Sequence, residues 1–308
     1  MNDKIFVTGA AGQLGQLVIK QLLARGVEPS RIVAGTRSPE KLADLAATGI
    51  EVRRADFEDM RSLTEAFNGA GTVLIISTDA LDGTDTRLKQ HRNAVSAAVA
   101  ANVKRLAYTS MPNPDSSLLS FAPDHLGTEQ AIKATGLPYV IFRNGWYQEN
   151  LLRALPNALK SGQWHSAAEG GRTSYVGRED IAEAIAAALA TSSLESRTYT
   201  FTGPEALSTE EIARLASQAT GRPLSVVHVN DRQFAAGLKA AGVPEVFVSA
   251  LVSIEAETRA GNLSIVTDHV ESLIARAPRR LAEYLKEAKS VHGRPRFAKH
   301  SVADGLKA

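Results

Sequence analysis

The chain contains no cysteine, and this absence excludes several kinds of chemistry at once. Without cysteine there are no disulfides, no thiolate metal sites and no cysteine nucleophile. The composition also fits a reducing compartment. Because the first strand pattern begins within four residues of the N-terminus, we expect no secretory signal and a cytoplasmic location.

Long apolar runs and clustered histidines are missing as well. No apolar run approaches the ~20 residues that a membrane-spanning helix needs, so we expect no membrane partner. The seven histidines are scattered and lack His-x-x-x-His spacing, which predicts no metal site. A Gly-x-Ser-x-Gly motif, typical of a serine hydrolase, is also absent.

The net charge of +2 is unevenly distributed over the 308 residues. Residues 276–308 carry nine Lys or Arg against three Asp or Glu, whereas the rest of the chain carries 26 basic and 30 acidic residues. A mildly acidic body does not indicate a nucleic-acid partner. We interpret 290–308 as a solvated basic tail, with contact to an anionic partner as the alternative.

The first half of the chain alternates short apolar strand patterns with helical ones. Because the strand patterns are apolar on both faces, they predict buried parallel strands. Repeated β-α units of this size predict a Rossmann-type, doubly wound α/β sheet with right-handed crossovers. The predicted strands are 4–8, 31–35, 50–54, 72–77, 104–110 and 138–143.

A glycine-rich segment follows the first predicted strand and opens the first helix. Gly9 permits a sharp turn, Gly12 lets a diphosphate approach the backbone, and Gly15 lets the helix pack closely on the strand. Free N–H groups at the helix start, around Ala11, Gln13 and Leu14, would then face the phosphates. The alternative is a plain turn, since the spacing alone is a weak signal.

Three further strand ends supply candidate cofactor contacts. Arg37 follows the second strand, where an NAD-binding protein usually has an acid, and its guanidinium suits the 2′-phosphate of NADP. A surface arginine is the alternative. By topology alone, Asp56 and Phe57, which follow the third strand, would contact adenine. Ser77 and Thr78, which follow the fourth strand, would contact ribose and nicotinamide.

The Tyr-x-x-x-Lys pair of typical short-chain dehydrogenases occurs nowhere in the chain. In the helix after the fifth strand, the tyrosine position holds His125 and the lysine position Glu129. An aliphatic ketone needs a strong proton donor on reduction. A quinone does not, because its product oxygen is phenol-like, with a pKa of roughly 10. The missing pair therefore favours a quinone or a similar acceptor.

Several segments together resemble the NmrA-like atypical short-chain dehydrogenases. They include VTGAAGQLG, VAGTRSPEK, QHRN, DHLGTE and YVIFRNGWYQENLL, and the resemblance runs from residue 4 to about 287. Within that family the similarity is greatest to bacterial NADPH:quinone oxidoreductases of type 2 and next to triphenylmethane dye reductases. The family resemblance implies NADPH bound across Gly9 to Leu14, with Arg37 near its 2′-phosphate.

The same resemblance implies a nicotinamide and substrate pocket after the sixth strand. There Asn144 and Gly145 would contact the cofactor, and Trp146 and Tyr147 would contact a flat aromatic substrate. The alternative is that the two aromatic residues pack between lobes. Tyr147 and His125 are the candidate proton donors.

We therefore expect an NADPH-dependent reductase of quinones or similar electron-poor aromatic acceptors. The alternatives are a non-catalytic NADP(H) sensor and a pathway-specific reductase of an aromatic or polyketide metabolite. We predict an NADP-binding domain over 1–150, with contributions from about 174–203, and a helix-rich substrate lobe over 151–289. The chain could form a homodimer.

Overall fold

A seven-stranded parallel sheet forms the centre of the computed structural model, which describes residues 3–80 and 84–290. Its strand order is β3-β2-β1-β4-β5-β6-β9, and every neighbouring pair is parallel. The predicted doubly wound sheet is therefore confirmed. The strands are β1 (Lys4–Val7), β2 (Ile32–Thr36), β3 (Glu51–Arg54), β4 (Ala70–Ile75), β5 (Arg105–Ser110), β6 (Tyr139–Asn144), β7 (Gln163–Ser166), β8 (Arg172–Thr173), β9 (Arg197–Phe201), β10 (Leu207–Ser208) and β11 (Ser225–His228).

Helices cover both faces of this sheet and form most of the C-terminal half. They are α1 (Gln13–Ala24), α2 (Ala43–Ala46), α3 (Met60–Phe67), α4 (Thr86–Ala100), α5 (Ala122–Ala134), α6 (Gln148–Ser161), α7 (Arg178–Leu189), α8 (Thr209–Thr220), α9 (Asp231–Ala240), α10 (Glu245–Arg259), α11 (His269–Ile274) and α12 (Leu281–Ser290). Residues 38–49 begin with Ser-Pro and end at a glycine, a sequence pattern that predicts a helix. In the structure this segment begins as a 3₁₀ turn over Pro39–Leu42 and continues as the short α2.

Side chains along each strand point alternately to the two faces of the sheet, so the core consists of two apolar layers. In β1, Ile5 and Val7 face the layer that holds α1 and α7, whereas Phe6 faces the layer of α3 and α4. Phe6 meets Phe67 edge to face, with ring centres 4.9 Å apart. Since side chains on a strand point alternately to opposite faces, a strand buried on both sides must be apolar throughout.

The C-terminal elements build a third apolar cluster of their own. Leu151 and Leu155 of α6 pack with Ile212 of α8 and Leu285 of α12. Two small sheets, antiparallel β10-β8 and parallel β11-β7, border this cluster. The domain boundary at residue 150 stays a prediction, and the tail over 291–308 lies outside the described residues. Among the helices described, none is long and apolar enough to cross a bilayer.

Candidate active site

The carboxyl ends of the central strands border a cleft of about 220 Å³. Open α/β sheets bind their ligands at this edge, where the strand order reverses. Eleven residues predicted from the sequence line the cleft: Gly9, Ala11, Gly12, Leu14, Gly15, Arg37, Asp56, Phe57, Ser77, Thr78 and Tyr147. Seven others join them: Thr36, Ala55, Ile76, Asp79, Gln90, Thr109 and Arg178.

The glycine segment turns sharply between β1 and α1. Gly9 has a φ of +59°, which side chains rarely tolerate, and its carbonyl accepts a hydrogen bond from the Gly12 N–H at 2.8 Å. A Cβ on Gly15 would stand 2.4 Å from the Gly9 oxygen. The turn therefore needs glycine at both positions, one for its backbone conformation and one for close packing.

The start of α1 is suited to an anion. Its N-cap Gly12 provides no side-chain cap, and the first turn contains no acidic residue. Backbone N–H groups at this end are left for another partner, and the helix dipole favours negative charge there. A diphosphate group fits this arrangement.

Arg37 stands next to the end of β2 with its side chain exposed. It lines the cleft and forms no ion pair with any described residue. Asp56, across the cleft edge after β3, pairs with Arg54 at 3.4 Å. A free cation without an adjacent acid fits the extra phosphate of NADP better than the bare ribose hydroxyls of NAD.

The segment after β4 is fixed by side chains of three other elements. The backbone N–H groups of residues 76–78 donate in turn to Thr8 Oγ1 at 2.8 Å, Thr109 Oγ1 at 2.9 Å and His91 Nε2 at 3.0 Å. Because each N–H has a side-chain acceptor, the segment leaves the sheet without a ladder partner and still stays ordered. Its Ser77 and Thr78 thereby reach the cleft.

Tyr147 and Arg178 form the opposite wall. The guanidinium carbon of Arg178 lies 4.6 Å from the centre of the Tyr147 ring, and Asn144 Nδ2 donates to the Tyr147 hydroxyl at 3.2 Å. Arg178 also donates to Gln13 Oε1 at 2.8 Å. Burial raises the pKa of the Tyr147 hydroxyl, against the opposite effect of Arg178, so the phenol stays protonated near neutral pH.

His125 lies behind the cleft and does not line it. A guanidinium only donates, so His125 Nε2 accepts from Arg87 Nη2 at 3.0 Å, and the ring proton remains on Nδ1, 2.8 Å from the Tyr108 hydroxyl. Burial, helped by Arg87 and His91, lowers the pKa of His125 well below its ordinary value. With both ring nitrogens occupied, the geometry gives His125 no direct contact with a substrate.

Glu129, at the lysine position of the missing pair, is also buried. Its carboxylate accepts two hydrogen bonds from Arg143, at 3.0 and 2.8 Å, and one from Ser110 at 2.7 Å. A fully paired carboxylate of this kind holds α5 against β5 and β6. The place of the usual catalytic pair is therefore filled by a packed ion pair and a neutral histidine.

Four predicted contacts lie beside the cleft without lining it: Gln13, Asn144, Gly145 and Trp146. The Gly145 N–H donates to the Phe201 carbonyl at 2.7 Å, which ties the end of β6 to β9. Trp146 packs on an apolar cluster of Met111, Leu119 and Ala122, which Phe121 and Ile254 also contact. These six residues are hereafter called the aromatic cluster, after Phe121 and Trp146.

Sequence reasoning missed Arg178, Gln90 and Asp79. Arg178 opens α7, far along the chain from the glycine segment, and no local motif connects the two. Gln90 is on α4 and is the first residue of the QHRN segment that carried the family resemblance. That motif is the one signal that could have indicated it. Among the described residues, no cluster of acidic residues and histidines is arranged to hold a metal ion.

The sheet order, the glycine turn and the cleft at the strand ends define a Rossmann-type nucleotide-binding protein. A model of the NmrA-like family matches residues 1–285, and the chain belongs to that family. It is 36% identical over 279 residues to Quinone oxidoreductase 2 of Escherichia coli strain K12, covering 91% of this chain and 96% of that protein.

Two solved structures are similar over nearly their whole length. The NADP(H) complex of a Citrobacter triphenylmethane reductase has a TM-score of 0.87 and 35% identity, covering 92% of this chain and 100% of that one. The NADPH complex of an Escherichia coli NADPH-dependent quinone oxidoreductase has a TM-score of 0.88 and 36% identity, covering 92% and 99%.

Proposed function

We propose that the protein is an NADPH-dependent reductase of quinones or similarly electron-poor aromatic acceptors. The observation that carries the proposal is the composition of one cleft. The cleft joins a helix start without a side-chain cap or an acidic residue, and an Arg37 that pairs with no acid in the described part of the chain, to a wall formed by Tyr147. The relatives named above, a quinone oxidoreductase and a triphenylmethane reductase, support the same activity.

The residues of the cleft fit NADPH in type and charge. The amides of Ala11, Gln13 and Leu14 would bind the diphosphate and Arg37 the 2′-phosphate. Arg178 would add a second cation beside Gln13. Asp56 and Phe57 would border the adenine, and Ser77 and Thr78 the ribose next to nicotinamide. When bound, NADPH supplies a hydride to the acceptor.

The acceptor would stack beside Tyr147 and the aromatic cluster. The protein offers a phenol held by Asn144 rather than a tyrosine activated by lysine. That weak acid suffices for a quinone, whose product oxygen is no more basic than a phenol, with a pKa of roughly 10. Most of the rate would come from holding the two reacting rings together and excluding water.

The test is a screen of the purified protein for oxidation of NADPH and NADH. The acceptors are 1,4-benzoquinone, a naphthoquinone, a triphenylmethane dye and an aliphatic ketone. We expect turnover with quinones, preference for NADPH, and none with the ketone. Tight binding of NADP⁺ and NADPH without turnover of any acceptor would overturn the proposal and favour a cofactor sensor.

A further inference from the structure

Arg87, in the first turn of α4, is a buried arginine that forms no ion pair with a described residue. Its residue surface is 6% exposed, and among the described residues no Asp or Glu oxygen lies within ion-pair distance. Nη2 donates to His125 Nε2 at 3.0 Å, and the guanidinium carbon lies 5.5 Å from the centre of the Phe121 ring. The buried Nε has no hydrogen-bond partner.

A buried cation of this kind is costly, since burial normally demands a counter-charge. The neighbouring His91 and His125 are neutral, because burial lowers the pKa of both rings well below the usual range. Burial lowers the pKa of Arg87 by more than the charges of Asp124 and Asp79 raise it. The described part of the chain therefore leaves the charge of Arg87 largely uncompensated.

The position of Arg87 connects the cleft with the aromatic cluster. Three residues further along α4, on the same face of the helix, Gln90 lines the cleft. The next residue, His91, accepts a hydrogen bond from the N–H of Thr78, which also lines the cleft. Phe121, below the guanidinium, packs on the aromatic cluster with Trp146. Arg87 does not line the cleft itself, but it lies near enough to the Tyr147 hydroxyl, which does, for its charge to lower the pKa of that group.

We propose that the Arg87 guanidinium binds the oxygen of the acceptor on which negative charge develops. This inference rests on the proposed function. The acceptor gains a hydride with its electron pair from NADPH and then a proton from solvent, so one of its oxygens is anionic between the two events. A desolvated guanidinium whose Nε–H is left without a partner by the described residues would stabilise that oxyanion strongly. Arg87 then provides by charge what the missing lysine-activated tyrosine provides by proton transfer.

The first test measures binding and needs no turnover. Pentafluorophenolate, an aromatic oxyanion at neutral pH, and its neutral ether pentafluoroanisole are titrated calorimetrically into the NADP⁺ complex. We expect the phenolate to bind about tenfold or more tightly than the ether. Arg87→Met should abolish this preference. Arg92→Met, which removes an exposed arginine from the same helix, should retain it.

The second test measures reduction of 1,4-benzoquinone by the same proteins. Arg87→Met should lower kcat about ten- to a hundredfold, with the KM for NADPH changed less than twofold. Arg87→Lys, which keeps the charge and the stem, covers the case in which the methionine variant does not fold. It should retain part of both the phenolate preference and kcat, because it lacks the planar fork.

Equal binding of phenolate and ether by the unaltered protein would overturn the inference, as would the same preference in Arg87→Met and Arg92→Met. If Arg87→Met does not fold, a full preference and full kcat in Arg87→Lys would overturn it. A phenolate preference that depends on Arg87, in a protein that reduces no quinone, would contradict the proposed function and leave the oxyanion site standing.

Discussion

Three arginines in or beside the cleft differ in what surrounds them. Arg37 is exposed, Arg178 is buried against the Tyr147 ring and two side-chain amides, and Arg87 is buried against a neutral histidine and a phenyl ring. None of the three forms an ion pair with a described residue. Because cations are usually buried only with a partner, we interpret Arg87 and Arg178 as charges reserved for ligands, and we assign Arg37 a ligand because it lines the cleft.

Arg37→Ala should separate the two nicotinamide coenzymes. We expect the KM for NADPH to rise about ten- to a hundredfold, because one or two charge-assisted hydrogen bonds are lost. The KM for NADH should stay nearly constant. Steady-state kinetics with both coenzymes give the measurement. Arg61→Ala is the matched control, since Arg61 is exposed on α3 and pairs with Glu65. Equal increases for NADPH and NADH would refute the phosphate assignment.

Tyr147→Phe should have a modest effect on quinone reduction. We expect kcat to fall no more than about tenfold, because water can protonate a phenol-like oxyanion. Burial raises the pKa of Tyr147, so its hydroxyl stays protonated through neutral pH and kcat should be flat between pH 6 and 9. A pH profile of kcat for both proteins is the measurement. A fall of a thousandfold would make Tyr147 an essential acid and contradict the reasoning on the acceptor.

At the residue scale, the sequence predicts contacts near the glycine segment better than contacts far from it. Gly9, Gly12 and Arg37 are placed by strand ends that the apolar pattern already indicates. Arg178 reaches the cleft from a helix more than 160 residues beyond Gln13, and only tertiary packing brings them together. His125 was predicted on the right helix, but which face of α5 is buried depends on α4 and could not be read from one sequence.

At the scale of elements, the turn from β1 into α1 depends on two glycines for different reasons. Gly9 provides a positive φ, whereas Gly15 allows the helix to approach the Gly9 carbonyl. The sequence predicts this unit well, because the strand, the glycines and the helix follow one another without interruption. It predicts less well the segment after Ser38, where the helical pattern yields a 3₁₀ turn and only four helical residues.

Gly15→Ala should displace the start of α1 and weaken cofactor binding. Its Cβ would stand 2.4 Å from a backbone oxygen that cannot move independently, so we expect a loss of about 1–3 kcal/mol in unfolding free energy and weaker NADPH binding. Urea denaturation and calorimetry give the two quantities. Gly237→Ala, at an open position on α9, should instead stabilise by about 0.5–1 kcal/mol. The same sign for both variants would contradict the steric argument.

At the scale of the whole molecule, a polar layer of α4 and α5 lies against an otherwise apolar sheet. His91 and His125 pack around Tyr108, and each ring nitrogen has a partner. The doubly wound parallel sheet and its buried apolar strands follow from patterns in the sequence. This polar layer does not, because its members are separated by long stretches of chain and resemble surface residues in composition.

The two buried histidines predict that the fold loses stability in mild acid. Burial lowers the pKa of both rings from 6.5, so above pH 6.5 they are neutral whether the chain is folded or unfolded. As the pH falls below 6.5, the two histidines become protonated in the unfolded chain but stay neutral in the folded chain. The unfolding free energy therefore falls by up to about 1.4 kcal/mol per pH unit for each histidine.

Urea denaturation of the unaltered protein between pH 7.5 and 5 tests this slope. His91→Asn and His125→Asn should each reduce the dependence of the unfolding free energy on pH, even where they lower stability at pH 7.5. Each variant removes one histidine that is protonated only in the unfolded chain. His165→Asn, which replaces an exposed histidine of β7, should leave the slope unchanged. If all three variants retained the slope of the unaltered protein, the loss of stability in acid would originate elsewhere in the protein and not in the two buried histidines.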